Sequence, residues 1–419
     1  MNKRVQDFPL VSNRPEAAAP EKRLRRVVMC GPALNQSNTG DRLLVGTLTQ
    51  ILRRDIGVER VIYVSIGVEP RVEREIPGLE IINPRTQPWR LAWFTFRADA
   101  FIIAGAISFH EHKRVMLKQA MLAWLCRLGG GRTVINAVSI QPIRNWLCRL
   151  LFRATHAAAN WFTVRDQDSV KHALAMGIRH PAQRSPDPGI MCPIAPAERV
   201  NQILSAEMVP THQPLFCIAP HLFVNHGRYR DRRYAGFQIE YPDYSDTVLD
   251  EYHEALARIG DWLTDHGTVL FVPLCTKTPP GDDRLAAEWI CRKMTHGNRA
   301  FRVNGEYTTG ELAGILSRCT LLLSSRLHGY ALGVANGVPS LAVEFHGKMR
   351  GLAEELGLVD WIFPMRNLYA ESIRNTIVEI LSDLPAARER VRVGVERAAD
   401  KARSDVLRGV TGRFPPRAA

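Results

Sequence analysis

Short apolar runs alternate with stretches of helical periodicity along most of this chain, and that alternation limits its fold more than any other feature. RRVVMCG at 25–31 has the length and content of a buried strand, and DRLLVGTLTQILRR at 41–54 spaces its apolar residues as an amphipathic helix does. Runs at 61–66, 100–106, 133–140 and 161–165 read again as strands, the last leading into a helix over 167–176 that stops at Gly177. A second series opens with LFCIA at 215–219 and continues through 268–274, 320–324 and 340–344. Helices lie between these runs, including 247–266 and a capping-box start at Thr308 and Glu311. Short, uniformly apolar strands that each lead into a helix define α/β units with parallel sheets covered on both faces.

The proline- and polar-rich stretch at 193–214 separates the two series. The expected architecture is therefore α/β, with two Rossmann-like doubly wound domains facing a cleft. Its parts are a disordered leader over 1–26, an N-terminal domain over 27–195 and a linker over 196–213. A C-terminal domain over 214–370 follows, then helices and a basic tail over 371–419, frayed from Arg408 onward.

Composition excludes several classes. Hydrophobic residues make up 46% and charged residues 23%, as in packed globular proteins and unlike disordered chains, collagens or coiled coils. No apolar run approaches the roughly 18 residues of a membrane span, so no transmembrane helix is expected. The leader is charged and carries three prolines without an apolar core, so it does not read as a secretory signal, and a cytoplasmic location is expected. The 8 cysteines are scattered with no C-x-x-C pair, which reads as buried free thiols and gives no reason to expect a metal.

The charge is unusual: 55 Lys+Arg against 42 Asp+Glu leaves +13, which favours an anionic partner such as nucleic acid, an acidic membrane surface or a phosphorylated substrate. The surplus is uneven. Between Lys113 and Arg153 lie eight cations and no acid, within the patterns KRVMLKQAMLAWLCRL and IRNWLCRLLFR, where Trp124 and Trp146 stand among leucines. Two readings are open: core helices with a solvated basic face, or an interfacial surface held on anionic lipid. Nucleic acid is not expected as a partner, because the basic residues follow no RNP, KH or zinc-finger pattern.

Ligands of open parallel sheets bind beyond the strand ends, where helix N-termini offer unpaired N–H groups. Asn38-Thr39-Gly40-Asp41 occupies such a place after the first strand; Gly40 permits close approach, and Asp41 either caps its helix or faces the cleft. No dinucleotide or P-loop glycine pattern occurs there. Ser325-Arg326-Leu327-His328-Gly329 follows the strand TLLLS. It combines a forked donor for phosphate or carboxylate with an imidazole able to move protons near neutral pH. After the next strand, Glu344-Phe345-His346-Gly347-Lys348 offers Lys348 either as a second cation for the cleft or as a first-turn surface lysine. Weaker candidates are Pro279-Pro280-Gly281-Asp282-Asp283, a turn and cap; His221, Asn225 and His226 in a loop; and Arg165-Asp166-x-x-Ser169, with Asp166 a natural N-cap.

Taken in order, Asn38-x-Gly40-Asp41, Arg165-Asp166-x-x-Ser169, Asp187-Pro188, Pro273 with Gly281-Asp282-Asp283, and Ser325-Arg326-Leu327-His328-Gly329 resemble the polysaccharide pyruvyl transferase family. The likeness continues through Gly337-Val338-Pro339 and the K-x-x-G-L at Lys348, and runs from about residue 28 to 365. This chain departs from the family with Ala104-Gly105-Ala106 in place of a double glycine and Phe345-His346 in place of an aromatic–Asp pair.

The resemblance implies a GT-B-like fold and phosphoenolpyruvate as donor substrate, with no separate cofactor and no metal. It implies transfer of pyruvate as a ketal onto two hydroxyls of a saccharide or its lipid-linked oligosaccharide precursor; the interfacial reading of the basic surface over 113–153 suits such an acceptor at the inner face of the cell membrane. Under it, Arg326 and Lys348 bind the donor, His328 transfers a proton or holds phosphate, and Asp41 orients or deprotonates the acceptor. Asn38, Gly40, Ser325 and Arg165 join as substrate-binding residues. The alternatives are a GT-B glycosyltransferase using a nucleotide sugar and a non-catalytic membrane-associated homologue.

Overall fold

The computed structural model describes residues 24–34, 38–178, 183–222, 245–277, 281–345 and 347–412. Almost all of the expected leader, together with Asn225, His226, Pro279, Pro280 and His346, lies outside them. In chain order the first half contains β1 (Arg26–Cys30), α1 (Thr39–Gln50), β2 (Arg60–Val64), α2 (Arg71–Glu75), β3 (Glu80–Ile82), α3 (Pro88–Phe96), β4 (Ala100–Ala104) and β5 (Ile107–Phe109). It continues with α4 (Lys113–Leu128), β6 (Arg132–Ile140), α5 (Trp146–Ala158), β7 (Trp161–Val164), α6 (Gln167–Ala175) and β8 (Gln183–Arg184). The strands form one parallel sheet in the order β3-β2-β1-β4-β6-β7-β8, with β5 beside β6.

The second half contains α7 (Ala197–Ala206), β9 (Leu215–Ala219), α8 (Asp246–Thr264), β10 (Thr268–Phe271), β11 (Thr276–Lys277), β12 (Gly281–Asp282), α9 (Asp283–Lys293) and β13 (Ala300–Arg302). Then come α10 (Thr309–Ser317), β14 (Leu321–Ser324), α11 (Leu327–Ala335), β15 (Ser340–Glu344), α12 (Lys348–Leu356), β16 (Ile362–Pro364), α13 (Ala370–Ser382) and α14 (Leu384–Thr411). Six strands make a second parallel sheet, β13-β10-β9-β14-β15-β16, while β11 and β12 pair as a small hairpin outside it.

Both sheets are sandwiched. Leu91, Met116, Cys126 and Phe152 from α3, α4 and α5 cover one face of the first sheet, and Val45 and Leu48 from α1 cover the other. In the second sheet α8, α12 and α13 lie on one side and α7 and α10 on the other. Strands buried on both faces are what uniformly apolar runs require. Strand order reverses beside β1 in the first sheet and beside β9 in the second, so each sheet opens a crevice at its switch point. The loops after β1 and β14 start there, which explains why Asn38–Asp41 and Ser325–His328 come to one place.

Two stretches differ from expectation. The span 196–213 contains α7, whose Val200, Ile203 and Leu204 pack with Leu215 and Leu312. Its prolines bound a helix of the second domain, so this is no exposed linker. The arginine-rich end is not frayed at Arg408: α14 runs to Thr411, burying Ala387, Val391, Ala398, Ala402, Val406 and Val410 along one stripe. Val391 and Ala398 join the core of the second domain, whereas Val406 and Val410 join that of the first. There Arg132 Nε donates to the Gly409 carbonyl at 3.0 Å. The arginines cover the solvent side of a helix that ties the two domains together.

The eight cysteines are free thiols.

Candidate active site

Asn38 caps α1, its side-chain oxygen accepting the Gly40 N–H at 3.0 Å. Asp41 is therefore not the cap; it sits in the first turn of the helix, where its carboxylate feels the charges of Arg42, Arg165 and Lys348. The loop is fixed to the other domain, because the Thr39 N–H donates to the Leu274 carbonyl at 3.0 Å. One residue further on, the buried Arg42 guanidinium binds Glu75 at 2.9 Å and Glu69 at 3.0 Å, so the first turn is anchored on its far side as well.

Against this turn rests His328, from the start of α11. A Cβ built on Gly40 would lie 1.9 Å from His328 Nδ1, so only glycine admits the ring. The other ring nitrogen, Nε2, is 3.8 Å from Asp187 Oδ2. That carboxylate is 2% exposed, accepts the Arg165 guanidinium at 2.8 Å, and with its second oxygen caps a short 3-10 turn through the Gly189 N–H at 2.9 Å. Arg165 in turn donates to Ser139 Oγ at 2.7 Å, and Ser139 donates to Asp166 at 2.7 Å. Asp166 caps α6 through Ser169, as its position suggests. A buried polar chain thus runs from Asp166 through Ser139, Arg165 and Asp187 to the imidazole.

Lys348 enters from α12. That helix lies against the Arg165–Asp166 turn, close enough that a Cβ on Gly351 would meet the Arg165 carbonyl oxygen at 2.7 Å. The K-x-x-G spacing puts Lys348 and Gly351 on one side of the helix, where the glycine allows the approach that brings the lysine in. Lys348 has no hydrogen-bond or ion-pair partner among the described residues. Loss of solvent holds its ammonium well below its usual range, Arg165 adds to that, and Asp166, Asp41 and Asp187 oppose it.

The same enclosure tunes the other groups. Burial pushes the Asp41 carboxyl up to about 7, against the opposing pull of Arg42, Arg165, Lys348 and Asn38. Burial lowers His328 to about 4; Asp187 resists, while Arg165, Lys348 and Arg326 reinforce the shift. At Asp187 burial acts upward, yet Arg165, His328 and the Gly189 N–H outweigh it and keep the carboxyl below its usual value. The site thus holds an acid near neutrality and a neutral imidazole, the pairing general acid–base chemistry uses.

Of the residues singled out in the sequence, Asn38, Gly40, Asp41, Arg165, His328 and Lys348 are brought together here. Arg165 lies behind the cleft wall, its side chain 5% exposed and its guanidinium committed to Asp187. Arg326 is 18% exposed and seated on Asp283, whose buried carboxylate also accepts the Leu222, Leu274 and Cys275 N–H groups. Ser325 does not reach the cleft. It is 1% exposed and its hydroxyl accepts the Tyr252 O–H at 2.9 Å, so it braces the strand end. His221 is buried edge-on against Phe345, with ring centroids 4.9 Å apart.

Two residues carry more than their sequence context showed. Asp187 was visible only as half of an Asp-Pro pair, and Asp283 only as part of a turn and cap. Each is a buried carboxylate holding an arginine of the site. The available signal was their position just past strands, which does not separate a cap from a counter-ion. Among the described residues no group of three or more His, Cys, Asp and Glu side chains is arranged to hold a metal ion.

The two facing doubly wound domains and the cleft between them define a two-domain α/β protein of GT-B-like architecture. Solved structures agree in fold. UDP-GlcNAc 2-epimerase from Neisseria meningitidis aligns with TM-score 0.56 at 9% identity over 93% of this chain and 100% of that one. A putative UDP-N-acetylglucosamine 2-epimerase from Listeria monocytogenes aligns with TM-score 0.55 at 10% identity over 90% and 94%. The family model for polysaccharide pyruvyl transferase matches residues 38–347, and the chain belongs to that family. A curated relative, the amylovoran biosynthesis protein AmsJ of Erwinia amylovora, is 24% identical over 166 residues. That match spans 38% of this chain and 40% of AmsJ.

Proposed function

We propose that this protein transfers the pyruvyl group of phosphoenolpyruvate onto two hydroxyls of a saccharide, or of its lipid-linked precursor, forming a pyruvate ketal. The observation that carries this reading is Lys348: an unpartnered cation in a desolvated cleft, facing a carboxyl tuned to about 7 and an imidazole backed by Asp187. Such a cation seeks an anion, and the family supplies the reaction class.

The donor brings a phosphate and a carboxylate. Lys348 binds this charge directly, while Arg326 adds its field from its seat on Asp283 and Arg165 from behind the wall. Arrival of the anion raises the affinity of His328 for a proton, and Asp187 stabilises the imidazolium. His328 then protonates C3 of the enol, leaving an oxocarbenium-like centre at C2. One sugar hydroxyl attacks C2 and gives its proton to Asp41. The C2–O bond to phosphate breaks, and phosphate leaves with the proton from Asp41. The second hydroxyl closes the ring and returns its proton to His328, so the two hydroxyl protons end on C3 and on phosphate. Positioning and preorganised charge supply the catalysis, with no further group needed.

The test is phosphate release from phosphoenolpyruvate in the presence of a pyranoside acceptor, with a mass increase of one pyruvate ketal in the product. His328→Ala and Asp41→Asn, both folded, are expected to lose turnover. Tight binding of a UDP- or GDP-sugar with no response to phosphoenolpyruvate would overturn the reading in favour of a nucleotide-sugar transferase.

A further inference from the structure

The outer layer of the first domain has an apolar face that nothing among the described residues covers. α4 is apolar on two sides. Met116, Gln119, Ala120, Ala123 and Cys126 point into the core, while Leu117, Met121, Trp124 and Leu128, at i, i+4, i+7 and i+11, form a second stripe turned outward. Leu117 is 48% exposed, Met121 62% and Leu128 72%. A helix with a second apolar stripe beyond the one its own core buries offers that stripe to a partner.

The neighbouring helices extend the stripe. α3 presents Trp89, Trp93 and Phe96 outward at i, i+4 and i+7, with Trp89 86% exposed, and α5 presents Trp146, 73% exposed, and Leu150. The three helices adjoin. A Cβ on Gly129 at the end of α4 would meet the Phe96 carbonyl oxygen of α3 at 1.7 Å, and Trp124 Nε1 of α4 donates to the Ala154 carbonyl of α5 at 2.9 Å. The sequence pattern revealed α4 and α5 but not α3, whose tryptophans complete the face.

Charge identifies what covers it. α3, α4 and α5 contain no Asp or Glu, whereas Arg90, Lys113, Arg114 and Arg127 are exposed on them and Arg97 and Arg144 flank them. A second copy docked about a two-fold axis would set these cations against themselves, which costs energy. Tryptophan and leucine ringed by lysine and arginine instead match the headgroup layer of an anionic bilayer. Among the described residues no helix is long and apolar enough to cross a membrane, so the contact is with the surface.

We propose that the α3–α4–α5 face docks on an anionic phospholipid bilayer, with its tryptophan and leucine side chains at headgroup depth. In a doubly wound sheet, helices that follow strands start at the strand ends lining the cleft. Lys113, Arg114 and Trp146 at the starts of α4 and α5 thus put the cleft side of the domain next to the lipid.

The test is flotation of the full chain with vesicles of phosphatidylglycerol and phosphatidylcholine, compared with phosphatidylcholine alone. Binding is expected only with the anionic lipid and should weaken with salt. Trp89→Glu with Trp146→Glu should reduce it by about tenfold or more. These side chains are exposed and the variant should fold. Val378→Glu, which changes an apolar side chain 50% exposed on α13, should bind as the parent does. Anionic binding that survives Trp89→Glu with Trp146→Glu would overturn the proposal. So would the absence of vesicle binding, including a result in which the parent chain self-associates and the double variant is monomeric. Phosphate release with a soluble pyranoside acceptor should be equal in parent and double variant, so failure here is separable from failure of the proposed reaction.

Discussion

The His328 imidazole and the Gly40 α-carbon, from opposite domains, are so close that a Cβ on Gly40 would lie 1.9 Å from Nδ1. Gly40→Ala leaves the helix start intact, since alanine suits that backbone, but must push the ring off Asp187. Misplacement by about 1 Å costs on the order of a hundredfold in rate. Phosphate release is expected to fall by about that factor with the melting temperature little changed; equal turnover would show that the ring position does not matter.

Asp187→Asn keeps the shape of the chain from Asp166 to His328 but removes its negative end. Arg165 would be left as a buried, uncompensated cation, and breaking such a pair costs about 3–5 kcal/mol. Chemical denaturation should show a loss in that range, and a loss below about 1 kcal/mol would mean that the pair behaves as a surface one.

Lys348→Met separates binding from stability. Removing an unpartnered, desolvated cation should leave the fold as stable as before or more so. The KM for phosphoenolpyruvate should nonetheless rise about tenfold or more, as expected for losing a charge-assisted contact. Thermal unfolding and steady-state kinetics on one preparation decide it, and an unchanged KM counts against a donor-binding role.

Asp41 and His328 give stability opposite slopes with pH. The folded chain keeps a proton on Asp41 from the ordinary 3.8 up to about 7, where the unfolded chain has lost it, so this group makes stability fall as pH rises through that window. His328 is neutral in the folded chain above about 4, whereas the unfolded chain stays protonated up to 6.5, so this group makes stability rise over that interval. Denaturation midpoints of Asp41→Asn should therefore rise from pH 4 to 6.5 more steeply than those of the parent. His328→Gln should show the reverse, a steeper fall toward pH 7.

Ala106, the last residue of the Ala104-Gly105-Ala106 stretch that replaces the family's double glycine, has a φ of 54°, in the left-handed region. That conformation costs a residue with a Cβ about 1–2 kcal/mol. Ala106→Gly should be neutral or stabilising by up to about 1 kcal/mol, because glycine's entropy offsets part of the relief. Gly105→Ala should be strongly destabilising, since its Cβ would meet Leu44 Cδ2 at 2.2 Å. Melting temperatures of the pair are the check.

The sheets were legible because a strand buried on both faces has to be apolar throughout: 340–344 was readable to the residue, and 215–219 likewise. Short edge strands such as β3, β8 and β16 were not, since two or three residues leave no period to detect. α7 was hidden by flanking prolines that bound a helix as readily as they break one, and the end of α14 by arginines that describe only its wet side. Within the site, His328, Asp41 and Lys348 stood out because their side chains have chemistry of their own at strand ends. Asp187 and Asp283 did not, because a capping carboxylate and a counter-ion carboxylate look alike until the arginine is seen beside them. Ser325 shared a motif with His328 yet points the other way, as the residue after a strand often does.

The contact between Arg132 and Gly409 joins positions 277 residues apart, and Val406 and Val410 finish the core around β1 and β6. During synthesis the first domain leaves the ribosome long before the helix that closes it exists. Its sheet must wait, one flank uncovered, while the whole second domain is made. The half made first is therefore completed only after the second has been made, and a chain cut short within α14 leaves an unfinished domain at its beginning.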